Sequence, residues 1–238
     1  MAQESNPPLI VPAEQTHTAT VIFVHGLGDT GYGWKPVADM LSRAMPHVKW
    51  ILPHAPQQPI TANFGMTMPA WFDIQDFTFK SAEDEKGMLT SVGNLNDIIR
   101  KEVDSGVPPS RIVLGGFSQG GVMSLLCGLT SERKLGGVVV LSAWLPLRQK
   151  FKVMMSDHAR SLPIFWGHGT ADPLVRYEFA TMSIEYLVKH CGLTRLRRDE
   201  IGKPGLTFVE YPGMEHSSCP QEFTDLGEFL KRAVPALE

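Results

Sequence analysis

Cysteine is scarce in this chain. Cys127, Cys191 and Cys219 make an odd number without metal-type spacing, which excludes a disulfide scaffold and reads as reduced thiols in a cytoplasmic protein, with the nucleus open to it as well. Basic charge is not in surplus either: a formal net charge of −3 and a pI near 6.2 leave no field for gripping phosphate backbones, so nucleic acid is not expected as a partner. No apolar run approaches the roughly 20 residues of a membrane span. Met1 to Pro8 holds neither a basic patch nor an apolar segment, so no secretory signal is expected. What is present, 238 residues that are 43% hydrophobic and 20% charged, suffices for one substantial core. A single domain is expected over residues 1–238, with residues 1–17, rich in proline at the start, as a loose arm.

Six apolar runs read as strands: Thr20 to Val24, Val48 to Leu52, Ile112 to Leu114, Val138 to Leu141, Pro163 to Trp166 and Thr207 to Tyr211. Most are continuously apolar, as strands buried on both faces should be. Helical spacing fills several gaps between them. Met88, Val92, Leu95 and Ile99 follow i, i+4, i+7, i+11 after Ser81 and Asp84 at capping-box distance. Val175, Phe179, Met182 and Tyr186 repeat that spacing, and Phe223, Leu226 and Leu230 mark a terminal helix. The alternation predicts an α/β fold, a mostly parallel central sheet with helices on both faces and a site at the carboxyl ends of the strands. Two stretches break the order. Pro53 to Phe79 is long and rich in aromatics and methionine, as functional loops are. Arg195 to Gly205 is charged and reads as a solvated loop, with a basic contact for acidic surfaces as the lesser reading.

Between the strand at Ile112 and a helix running to about Thr130 stands Gly116-Phe117-Ser118-Gln119-Gly120. A serine hydroxyl is a poor nucleophile unless a sharp turn presents it to a base, and flanking glycines let strand and helix approach closely enough to make that turn. Such an elbow requires an acid and then a histidine further along the chain. His216 follows the strand ending near Tyr211 and is the best base. Asp172, just past the strand at Pro163, is the best acid, although an Asp before Pro173 also reads as a helix cap. The two roles compete for one carboxylate, and the triad is preferred. Cys219, three positions beyond His216, lacks an elbow of its own.

A tetrahedral intermediate needs two N–H donors, one after the nucleophile and one from a glycine-rich loop after an early strand. Gln119 supplies the first. His25-Gly26-Leu27-Gly28 supplies the second through Leu27, with His25 bracing the loop. The same stretch, Gly26 to Gly31, spells the dinucleotide fingerprint G-x-G-x-x-G. That reading wants a carboxylate at the end of the next strand, where the sequence has Leu52-Pro53-His54-Ala55.

HGLGDTG at His25, PHAP at Pro53, MPAWFDI at Met68, RIVLGGFSQGG at Arg111, LSAWLPL at Leu141, DPLV at Asp172 and HSSC at His216 together span almost the whole chain. In these stretches it resembles the acyl-protein thioesterases of the cytosolic carboxylesterase and lysophospholipase family. The resemblance implies an α/β-hydrolase fold, a triad of Ser118, Asp172 and His216, an oxyanion hole of Leu27 and Gln119, and removal of long acyl chains from protein cysteines. It implies no cofactor and no metal. S-palmitoylated proteins, or a lysophospholipid, are the implied substrates; a homodimer and transient contact with a membrane surface are both compatible with it. Ala2 replaces the cysteine that self-acylated members carry there, and Thr194 to Gly205 is longer than the family pattern. Apolar contacts must set selectivity, with Phe64, Met66, Met68, Trp71, Phe72, Trp144 and Leu145 as candidates. Each also reads as core, and Trp144 and Leu145 lead because they follow a strand directly. The rival readings are a lysophospholipase or general carboxylesterase with the same site, and a catalytically silent module that holds acyl chains.

Overall fold

In the computed structural model, which describes residues 7–76, 78 and 82–237, all six expected strands enter one eight-stranded sheet. In chain order the strands are β1 (Leu9–Val11), β2 (Ala19–Val24), β3 (Val48–Leu52), β4 (Gln57–Ile60), β5 (Met66–Pro69), β6 (Ile112–Phe117), β7 (Gly137–Leu141), β8 (Pro163–Gly169), β9 (Arg195–Leu196) and β10 (Gly205–Tyr211). The α-helices are α1 (Gly31–Ala44), α2 (Glu85–Asp104), α3 (Gln119–Thr130), α4 (Arg148–Met154), α5 (Tyr177–Lys189) and α6 (Pro220–Ala233). The sheet runs β1-β3-β2-β6-β7-β8-β10-β9, and only β1 is antiparallel to its neighbour. Strands β4 and β5 form a separate antiparallel hairpin.

Continuous apolar runs yield this sheet because each strand must supply two cores. Along β7, Val138 and Val140 join one buried cluster while Val139 and Leu141 join the other; in β2, Ile22 and Val24 part from Val21 and Phe23 in the same way. The first cluster is covered by Leu95 and Ile99 of α2, Leu125 of α3 and Leu187 of α5, the second by Trp34 and Leu41 of α1 and Phe229 of α6. Each wholly buried valine or leucine contributes about 1.5–3 kcal/mol relative to an exposed one. A polar substitution anywhere in β7 therefore damages one face or the other.

Four expectations change. The loose arm of residues 1–17 is not loose where it is described: Leu9, Ile10 and Val11 pair with Leu52, Ile51 and Trp50. Pro8 and Pro12 bracket this strand, and at the sheet edge neither breaks a ladder. Within Pro53 to Phe79 the hairpin β4–β5 was hidden by its prolines and polar residues; Phe77 and Phe79 lie outside the described residues. Arg195 to Gly205 is largely exposed, as a solvated segment should be, but it is not a free loop: β9 extends the sheet edge, Arg198 holds Asp225 of α6 at 2.8 Å, and Arg232 reaches the Ile201 carbonyl at 2.9 Å. Finally, Asp84 is itself the N-cap of α2, accepting the Gly87 N–H at 2.9 Å, while Ser81 lies outside the described residues. Helix α1, directly after the glycine motif, buries Trp34, Ala38 and Leu41, which follow i, i+4, i+7.

Candidate active site

Strand β6 delivers Ser118 to a turn that only small neighbours permit. A Cβ on Gly120 would stand 2.0 Å from the Val24 carbonyl oxygen, and one on Gly116 would stand 2.4 Å from the Gly120 backbone. Glycine at both positions lets α3 start directly behind the strand. Ser118 sits at φ 52°, ψ −122°, outside the regions a side-chain-bearing residue favours. The surrounding hydrogen bonds over-determine that strain. The Ser118 N–H donates to Leu141 O at 2.8 Å and the Val122 N–H donates to Ser118 O at 3.0 Å.

The three side chains expected to act together are together. Ser118 Oγ lies 2.9 Å from His216 Nε2, and His216 Nδ1 lies 2.7 Å from Asp172 Oδ2. In the working tautomer Nδ1–H donates to the carboxylate and Nε2 accepts from the hydroxyl. The Phe117 ring, centred 4.8 Å from the imidazole, packs on His216. Strands β6, β8 and β10 bring the three groups to one edge, since β8 and β10 are neighbours and only β7 separates them from β6.

Asp172 corrects one expectation, for the sequence set two roles against each other and the carboxylate performs both. Oδ1 accepts the N–H groups of Leu174 and Val175 at 2.9 Å each, leaving Oδ2 for His216. The capped element is a turn, because α5 opens at Tyr177 and not at Pro173. A wholly buried carboxyl group needs such donors, and three reach it, the N–H groups of Leu174 and Val175 and the His216 ring.

The oxyanion loop abuts the elbow: a Cβ on Gly26 would stand 3.3 Å from the Ser118 Cβ. The Gly28 N–H is taken by Pro69 O, whereas among the described residues the N–H groups of Leu27 and Gln119 meet no acceptor. Gln119 is the first residue of α3, where an unpaired, positively polarised N–H is inherent. Its side chain is fixed as well, with Oε1 accepting the Trp71 N–H at 2.8 Å and Nε2 donating to Phe72 O at 2.7 Å. His25 braces the loop: Nε2 accepts the Ala55 N–H at 3.0 Å and Nδ1–H donates to Gly26 O. Burial lowers its pKa, which keeps the neutral form that can do both. At the end of β3, where a dinucleotide site wants a carboxylate, His54 accepts the Gly31 N–H at 3.1 Å and so occupies an amide that a phosphate would need.

Three of the seven apolar candidates, Phe72, Trp144 and Leu145, line a cavity of about 640 Å³ together with Ile74, Met88 and Phe179. Phe72 and Trp144 meet edge to face at 6.2 Å. The cavity walls are tied to the elbow, since Gln119 holds the Phe72 carbonyl and Leu141, three residues before Trp144, accepts the Ser118 N–H. The other four candidates lie elsewhere. Phe64 and Met66 are exposed at the turn between β4 and β5, Phe64 completely, and Met68 lies beside Gly28. Trp71 is a core brace, its indole N–H donating to His25 O at 2.9 Å. Hydrophobicity alone could not sort these seven, because the signal for burial and for lining is the same. Cys127 is wholly buried, which pushes its thiol up to about 12 and leaves it inert.

The family model described as phospholipase/carboxylesterase matches residues 5–234. The chain is 53% identical over 230 residues to acyl-protein thioesterase 1 of Cryptococcus neoformans, covering 95% of this chain and 97% of that protein. It is 46% identical to acyl-protein thioesterase 1 of Neurospora crassa, covering 96% and 92% respectively. The crystal structure of Zea mays acyl-protein thioesterase 2 superposes with a TM-score of 0.82 at 26% identity, covering 95% of this chain and 98% of that one.

Proposed function

The chain belongs to the phospholipase/carboxylesterase family, and from that premise we infer that it removes long acyl chains from S-acylated protein cysteines through an acyl-enzyme on Ser118. The carrying observation is the unbroken path from Ser118 Oγ through His216 to Asp172, beside two backbone donors that meet no acceptor among the described residues. In the first step Oγ attacks the thioester carbonyl and Nε2 of His216 takes its proton. Asp172 steadies the resulting imidazolium, and the oxyanion turns to the N–H groups of Leu27 and Gln119. His216 then gives the proton to the departing cysteine sulfur. Water, deprotonated by the same imidazole, releases the fatty acid and restores Ser118. A thiolate, with a reference pKa near 8.5, leaves more readily than an alkoxide, so the same site also cleaves activated oxygen esters.

The acyl chain is assigned to the cavity bounded by Phe72 and Trp144, where Ile74, Met88, Leu145 and Phe179 give an apolar side, Glu83, Glu85 and Arg148 give a charged one, and the size suits one extended aliphatic ligand. The test incubates the protein with an S-palmitoyl peptide and a lysophospholipid at matched concentrations. Faster thiol release, with palmitate trapped on the Ser118 peptide, is the expected result; a specificity constant higher for the lysophospholipid would reassign the substrate. Leu145 supplies a narrower check. Shortening it to Ala removes about three carbons of wall, at about 0.8 kcal/mol per methylene, so KM for the palmitoyl substrate should rise about tenfold or more. Acetyl ester hydrolysis should hardly change, and parallel loss for both chain lengths would mean that the cavity is not the acyl site.

A further inference from the structure

The geometry points to His168 as a positioning residue of the triad, which holds the turn that aims Asp172 at His216; this rests on the hydrolase reading above. His168 is the last residue but one of β8, four residues before Asp172, and its side chain is wholly buried. Its Nε2–H donates to the Val175 carbonyl at 2.8 Å. Val175 in turn gives its own N–H to Asp172 Oδ1 at 2.9 Å. One residue therefore links the buried imidazole to the carboxylate, and the turn 172–175 is pinned at both ends. The same Nε2 lies 3.6 Å from Oδ2, the oxygen that faces His216, too far for a hydrogen bond but placed to favour the negative charge there.

Packing does not explain an imidazole at this place. With the proton committed to Nε2, Nδ1 is a bare acceptor, and among the described residues it finds no donor. A buried polar atom left unmatched is costly, and an apolar ring would fill the same space without that cost. The charged and titratable groups around His168 are Asp172, His216, Tyr177 of α5 with its ring 6.3 Å away, and Glu210, the register partner on β10 that accepts the Tyr177 hydroxyl. Burial lowers the pKa of His168, so the neutral donor persists across the working range of a serine hydrolase.

Two substitutions in the full chain separate positioning from bulk. His168→Phe keeps the ring and removes the donor; His168→Gln places an amide N–H near the site of Nε2. With a soluble acetyl ester, H168F should lower kcat about 10- to 100-fold with KM nearly constant. The acid limb of its kcat/KM profile should move to lower pH, because the His216 imidazolium loses the carboxylate held against it. H168Q should return both quantities to within about threefold of the parent. An acid limb that stays in place in H168F, or an H168Q no better than H168F, overturns the assignment. If H168F shows no cooperative unfolding, His168→Asn, whose amide is too short to reach Val175, replaces it in the comparison with H168Q under the same criteria. Fluorophosphonate labelling keeps the two ideas apart. No labelling of Ser118 in the parent would sink the hydrolase reading itself, whereas equal labelling rates in parent and H168F would sink only the role of His168.

Discussion

Replacing Ser118 with Ala should reduce kcat for any ester or thioester by roughly four to six orders of magnitude, leaving only the residual catalysis of the oxyanion donors. The fall is large because both ring nitrogens of His216 serve the Ser118–Asp172 line, and Cys219, the nearest alternative in the sequence, stands at the N-cap of α6 without a hydrogen bond to His216 among the described residues. Stability should barely move, since alanine suffers the same strain at φ 52° that serine does. Glycine does not. Ser118→Gly should be as inactive as Ser118→Ala yet about 1 kcal/mol or more stable, because the elbow conformation costs glycine little. Urea unfolding of the three proteins beside their esterase rates checks both halves, and a glycine variant no more stable than the alanine one would show that the elbow stores no strain.

Glu222 carries the second large effect. It lies in the first turn of α6, wholly buried against Gly167 of β8, and among the described residues neither carboxyl oxygen has a hydrogen-bond partner. Burial, with the Asp225 carboxylate near it, pushes this carboxyl up to about 8 from an ordinary 4.5. The folded protein thus holds a proton that the unfolded chain releases. Stability from this group is whole below pH 4.5, declines as pH rises through the interval, and is lost above about 8, a total on the order of 5 kcal/mol. Glu222→Gln copies the neutral form at every pH. It should match the parent near pH 5 and exceed it by several kcal/mol at pH 9, measured by urea unfolding at each pH. Parallel stability profiles for the two proteins would mean that Glu222 does not titrate in this range.

Much of the central sheet was legible because strands buried on both faces advertise themselves by unbroken apolar runs, as Val138 to Leu141 does. The edges were not. Leu9–Val11 and Arg195–Leu196 hold position by pairing with β3 and β10, and nothing in three or two residues announces a partner that distant. The triad could be read from chain order and strand ends, since those two constraints are topological. The division of labour within Asp172 could not, because a sequence names a carboxylate without saying where each oxygen points. Chain order gives His168, which precedes Asp172, no place as the base, and the sequence holds no sign of its contact with Val175. The apolar candidates failed in a third way: Phe64 and Trp71 look alike on paper, yet one is wholly in solvent and the other is clamped under the oxyanion loop.

The seven-residue ladder between β10 and β8 also sets when this protein becomes dangerous to lipidated neighbours. During synthesis the alcohol leaves the ribosome 98 residues ahead of its imidazole, so the elbow can form on β6 and β7 long before anything can draw off its proton. Ser118 has its base only with β10 paired to β8, because that pairing carries the loop of His216 to the serine. A chain that ends before β10 has the alcohol and lacks the imidazole that would activate it.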